Sequence, residues 1–331
     1  MAQMIEMNEQ GLPSQEAPKP TGLAIGPVIR KMLANPGALK KMRTMDPDEE
    51  RYVRPPREYD LPEYRQGMQY CKSNEKYLRP TRYCNPREPL VIAMAHELGA
   101  YELSDHEFAE AAFWFVKTKF VAEFLALNSV SDSLRRGTGT CMHMNSVWVA
   151  LCRAAGIKAR YKSFNMLLPD EFTSLASSIG ENEAMTANMF NRGLPEIEGE
   201  ICIDGTWEVG HVAMRPEYLA CGYLPIPRFG EDAIGLTFPL APGATIKRYE
   251  SIPLWMWFVV KAMMAFIPAS MERANLVVLE ALLTGSQVIE EAGGLEAYDR
   301  AARSKSESLP VDEIVRTMQA AMRQELVEFE A

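Results

Sequence analysis

A chain of 331 residues, 47% hydrophobic and 24% charged, has an ordinary globular composition and is long enough for one large domain or two moderate ones. Its net charge of −9 and isoelectric point near 5.2 exclude nucleic acid as the main partner, because phosphate binding needs a basic surface. The six cysteines include no Cys-x-x-Cys pair, so there is no zinc-ribbon or thioredoxin motif, and the start lacks the basic-then-apolar pattern of a secretion signal. The expected setting is a reducing cytoplasm with free thiols.

Residues 1 to about 20 are polar and carry Pro13, Pro18 and Pro20, which reads as a loosely attached tail. One helix is expected within 22–45, with Val28, Ile29, Met32 and Leu33 as its apolar side. The proline-rich, charged stretch 46–65 reads as an extended surface connector, so 1–62 form an N-terminal tail and connector. The core is expected from residue 63. Glu88 to Leu98 fits a helix. Ser104 with Glu107 three residues later makes a capping box, which opens a strong helix predicted to run to about Leu127. His96 and His106 lie in this region and read as surface or cap-adjacent residues.

The chain then punctuates itself with Gly137-Thr138-Gly139-Thr140-Cys141. The two glycines suit a tight turn with positive φ, and either threonine can cap the helix that follows. Val147, Leu151 and Ala154 give that helix a buried side, Gly156 suits its C-terminal left-handed position, and Ile157 to Phe164 alternates like a strand. Cys141 falls in the helix's first turn, where free N–H groups and the helix dipole favour a thiolate. His143 is two residues on, a spacing that points the two side chains apart, and so reads as structural.

From 165 to 192 the pattern is irregular, with a short helix expected at 171–178. A hairpin follows: Ile197 to Ile203, the turn signal Asp204-Gly205, and Thr206 to Ala213. Residues 221–331 become mainly helical. The run 254–267 is apolar on all sides but short of the roughly 20 residues that cross a bilayer, and Lys261 interrupts it. It reads as a buried or interface helix rather than a membrane span. Further helices are predicted over 274–292 and 311–329, the latter with a stripe of Val311, Ile314, Val315, Met318, Met322 and Leu326. The apolar surface of these helices predicts a homodimer contact.

Gly-x-Gly-x-Cys, a helix, and Arg153-Ala154-x-Gly156-Ile157-x-Ala159-Arg160 together resemble the nucleophile region of the transglutaminase-like superfamily. The lead-in Tyr77 to Thr81, the Pro89 to Ala95 helix and the Glu200 to Trp207 hairpin extend the resemblance over roughly 75–220. It implies an α+β fold: a papain-like core over 63–220, with the nucleophile helix packed on an antiparallel sheet, followed by added C-terminal helices. It also implies that Cys141 is the nucleophile of a Cys-His-Asp triad. In that family the histidine stands eleven residues before the hairpin tryptophan and the aspartate four after it. Counted from Trp207, those positions hold Glu196 and His211, so the acid and base types are exchanged while their separation is kept.

Three readings follow. In the first, His211 takes the Cys141 proton and Glu196 orients the imidazole, with Glu198 and Glu200 as alternatives on the same strand face. In the second, Cys141, His211 and Glu196, with His143 or Glu200, ligate zinc or iron. In the third, the fold is an inactive binding scaffold. The first implies acyl transfer, or amide or thioester hydrolysis, through a Cys141 acyl-enzyme. It expects a small-molecule or peptide acyl substrate, no cofactor, and an imidazole nearer the sulfur than the carboxylate.

Overall fold

The computed structural model describes residues 54–126, 129–166, 194–238, 240–241, 244–266 and 268–307, with Gly37 alone ahead of them. The expected helices at 22–45, 171–178 and 311–329, and most of the 165–192 insertion, lie outside the described residues.

Helix α1 (Pro89–Glu97) starts on a proline, which suits a first helical position, and buries Val91 to Ala95. Helix α2 (Asp105–Lys119) opens on the predicted capping box: Glu107 N–H donates to Ser104 Oγ at 3.3 Å and Ser104 N–H donates to Glu107 Oε2 at 3.0 Å. It ends eight residues before Leu127, because Phe120 turns extended and β1 (Val121–Ala122) pairs in parallel with β2 (Thr138–Gly139). Between them stands α3 (Val130–Arg136), which the sequence reading passes over. Ser129 caps it by accepting from Asp132 N–H at 3.0 Å, and left-handed Gly137 closes it.

Helix α4 (Cys141–Ala155) follows at once and ends on left-handed Gly156, as predicted. Strands β3 (Ala159–Met166), β4 (Leu194–Ile203), β5 (Thr206–Gly210) and β6 (Lys247–Tyr249) form one antiparallel sheet in the order β5-β4-β3-β6. Asp204 and Gly205 both have positive φ, as a two-residue hairpin turn requires. The fold is thus α+β, with the Cys141 helix against an antiparallel sheet.

One sheet face, carrying Ile197, Ile201, Ala159 and Tyr161, packs with α1, α2 and α4 into the main core. Trp148 of α4 is wholly buried and donates its indole N–H to Ala109 O at 3.0 Å. Its ring lies against the paired Gly199 and Gly210, where a Cβ would come within 2.5 and 2.4 Å. This glycine pair lets α4 approach the β4–β5 strands closely.

Helices α5 (Pro216–Cys221) and α6 (Ala233–Leu236) follow β5. The C-terminal helices are α7 (Leu254–Phe266), α8 (Pro268–Glu291) and α9 (Leu295–Glu307). Helix α7 buries Met256, Trp257, Ala262 and Ala265 and exposes Leu254, Trp255 and Phe258, so it is not covered on all sides. Helix α8 begins six residues earlier than predicted, with Pro268 at its start. A second apolar cluster of Phe164, Met166, Leu219, Ile226, Phe238 and Tyr298 covers the other sheet face. None of the described helices is long and apolar enough to cross a membrane.

Candidate active site

The first turn of α4 is set by its own side chains. His143 reaches back, its Nδ1 accepting from Thr140 N–H at 3.1 Å and meeting Thr140 Oγ1 at 2.7 Å, while its ring packs edge-on against Trp257. This is the structural role its spacing implied. Gly137 has the expected positive φ of 70°, but Gly139 does not. Gly139 is needed for space instead, since a Cβ there would lie 2.5 Å from the His143 Cβ.

Strand β5 ends at Gly210, so beyond Gly199 the β4 backbone has no strand partner on that side. The first turn of α4 fills the place. Asn145 donates through Nδ2 to Ile197 O at 2.6 Å and to Cys141 O at 3.0 Å, tying helix to strand. The N–H groups of Met142 and Ile197 and the carboxylate of Glu196 all act on the Cys141 sulfur. Some residue surface of Cys141 remains exposed, but its sulfur is desolvated. Burial, then the charge of Glu196, then the hydrogen bond to Glu196 push the thiol well above its ordinary value, and the two N–H groups oppose this only in part. The resting sulfur is therefore a thiol. The thiolate expected from the helix dipole alone is overridden by desolvation and by a carboxylate at contact distance.

Glu196 in turn faces His211, whose Nε2 lies 3.6 Å from Glu196 Oε1, both side chains being buried. The structure thus brings together all three residues singled out from the sequence. Their order differs from the expectation, because the group that acts on the sulfur is the carboxylate, and the imidazole stands against that carboxylate. The physical reason is reach. Glu196 is next to Ile197, whose N–H meets the sulfur, whereas His211 lies one residue past the end of β5 and packs 5.7 Å from the Phe238 ring.

Glu196, Glu198 and Glu200 share one face of β4, as strand alternation requires. Glu198 and Glu200 each meet a cation. Glu200 takes Arg160 at 2.5 Å and Arg248 at 3.0 Å, and Glu198 stands 3.0 Å from Lys162 Nζ. Lys162 also pairs with Asp232 at 2.7 Å. Glu198 is wholly buried, and desolvation raises its carboxyl while His211 and Lys162 pull it back. Lys117 of α2, also wholly buried, donates to His211 O at 2.7 Å and Met214 O at 3.0 Å, fixing the turn that carries the imidazole. Burial pushes its ammonium down to about 7.

The sequence reading missed Lys117 and Lys162. A signal existed for Lys162: Arg160-x-Lys162 on β3 mirrors Glu198-x-Glu200 on β4 with opposite charge. Lys117 lies among Phe113 and Val116 on an apolar helix face and carried no signal. Among the described residues no group of three or more His, Cys, Asp or Glu side chains could hold one metal ion, so Cys141, His211 and Glu196 do not form a ligand set. They lie in a row, with a protonated thiol at one end.

Residues 92–191 match the transglutaminase-like superfamily. A solved structure from Cytophaga hutchinsonii, described as that of a candidate cysteine protease, is similar at 16% identity with a TM-score of 0.33. The similarity covers 56% of this chain and 57% of that one. None of the curated proteins compared matches.

Proposed function

From a chain that carries a transglutaminase-like core, which supports cysteine-based hydrolase or acyltransferase chemistry, we propose an enzyme that works through a Cys141 acyl-enzyme. Glu196 accepts the thiol proton as the sulfur attacks an amide or thioester carbonyl of a small-molecule or peptide substrate. The C–S bond forms as the carbonyl π electrons move to oxygen. On collapse the leaving amine or thiol takes the proton back from Glu196, and water or a second nucleophile then releases the acyl group. His211, 3.6 Å from the carboxylate, is the third group of the row and holds Glu196 in place. The backbone N–H of Cys141, at the start of α4, is the proposed donor to the developing oxyanion.

The observation that carries this reading is the Cys141 sulfur set beside a buried carboxylate that faces a buried imidazole. Chemistry needs a nucleophile in contact with a base, and the base in contact with a third group. Hydrolysis of p-nitrophenyl acetate tests it. The native chain is expected to show a burst followed by slow turnover. Cys141→Ala should abolish the burst, and Glu196→Gln should slow acylation by about 100-fold. A burst that survives Cys141→Ala would end the proposal.

A further inference from the structure

Cys141, Asn145 and Trp148 recur at helical spacing, so they lie along one side of α4, the side that meets β4. Trp148 rests against Gly199, and Asn145 reaches Ile197. The pairing of β5 with β4 stops at Gly199, so the buried Ile197 carbonyl meets a side-chain amide instead of a strand. Asn145 Nδ2 donates to that carbonyl at 2.6 Å and to the carbonyl of Cys141 at 3.0 Å. Two carbonyl acceptors settle which end of the amide is nitrogen, since only the NH2 group can donate, and its two hydrogens serve one carbonyl each. Asn145 is wholly buried, and its Oδ1 has no hydrogen-bond partner among the described residues. A buried amide that forgoes its acceptor is a costly choice where an apolar residue would pack, so the bridge between helix and strand is what the residue contributes.

We propose that Asn145 is a positioning residue for the nucleophile: its amide holds the first turn of α4 to β4 at Ile197, and so keeps the Cys141 sulfur beside the Glu196 carboxylate. The inference rests on the Cys141–Glu196 reading and assigns a role within it. The lever is short. Cys141 stands about one helical turn before Asn145, and Glu196 directly precedes Ile197 on β4. Ile197 meets Asn145 through its carbonyl and acts on the sulfur through its N–H, so one strand residue takes both ends of the turn. Trp148 sets how close the helix body comes to the strands, and His143 closes the turn on itself through Thr140. The Asn145 amide sets where that turn stands against Ile197. Without it the buried Ile197 carbonyl loses its donor, and the turn shifts to let another group or water reach it. A misplacement of about 1 Å can cost a reaction roughly 100-fold.

A double-mutant cycle separates positioning from plain support of the fold. The rate read is acetylation of Cys141 by p-nitrophenyl acetate, followed by peptide mass. With Glu196 in place, Asn145→Ala should slow acetylation about 30-fold. In a Glu196→Gln background it should slow it by no more than about threefold, because the contact it serves is already lost. A residue that only supports the fold would slow both backgrounds equally. Should the Ala variant fail to fold, the same cycle is read with Asn145→Asp, which keeps the shape and loses the NH2 group, and the same inequality is expected. Native-rate acetylation in the folded variant, or equal slowing with and without Glu196, overturns the proposal. A native chain in which Cys141 gains no acetyl group, or a Glu196→Gln chain that acetylates at the native rate, overturns the Cys141–Glu196 reading instead.

Discussion

Glu196→Gln is expected to move two properties of Cys141 in opposite directions. In the native site burial and the negative charge of Glu196 both raise the Cys141 thiol. Gln keeps the side-chain length and turns the contact into a neutral one whose amide can donate to sulfur. Removing a like charge at hydrogen-bond distance increases the thiolate population about tenfold or more. A more acidic thiol is a weaker nucleophile by roughly half of that gain on a logarithmic scale. Iodoacetamide labelling of Cys141 near pH 7.5 should therefore rise about threefold in the variant. Acyl transfer, which needs a group to receive the proton and return it to the leaving group, should fall about 100-fold. Stopped-flow labelling and ester-burst kinetics on the same preparations read both. Labelling and acylation falling together would show that Glu196 does not stand against the sulfur as a base, and the reasoning would be wrong.

Labelling of native Cys141 should climb steadily with pH through the alkaline range without a plateau near neutrality, because its thiol is held above the ordinary value; a neutral plateau would contradict the burial argument. Lys117→Met should cost about 1–3 kcal/mol in urea unfolding by stranding the carbonyls of His211 and Met214. The folded Lys117 value is depressed from 10.5 to about 7, so the unfolded chain holds the extra proton between those two values and native stability rises with pH across that window. The Met variant lacks this rise, so its deficit should be larger at pH 9 than at pH 6; a deficit that shrinks with pH would refute the assignment. Gly139→Ala should cost about 1–3 kcal/mol by driving a Cβ into His143, and a neutral result would show that the α4 start is not packed as described.

Much of this architecture was legible because it rests on local chemistry. The Ser104 capping box, the Gly156 stop and the Asp204-Gly205 turn each satisfy backbone groups within a few residues, and each stands where the sequence placed it. The pairing of Glu196 with His211 came from the family spacing counted from Trp207, and the two side chains lie 3.6 Å apart. What was not legible depends on contacts distant in sequence. The α2 helix stops at Lys119 because β1 pairs with a strand seventeen residues on, a competition that periodicity cannot weigh. The thiol state of Cys141 could not be read from its helix position, since the Glu196 carboxylate arrives from 55 residues away and reverses the dipole's effect. Gly199 and Gly210 looked like ordinary strand glycines until Trp148 was seen lying on them.

The central claim, that Cys141 carries the acyl group, is tested most directly by trapping the intermediate. The 331-residue chain is mixed with p-nitrophenyl acetate, quenched in acid within seconds, and examined by intact mass and peptide mapping. The account predicts one acetyl group per chain, on Cys141, stable in acid and released by hydroxylamine, with Cys71, Cys202 and Cys221 unmodified despite their partial exposure. It also predicts no adduct in Cys141→Ala. An acetyl group distributed over the other cysteines, or a Cys141 peptide that stays unmodified while ester is consumed, would contradict it.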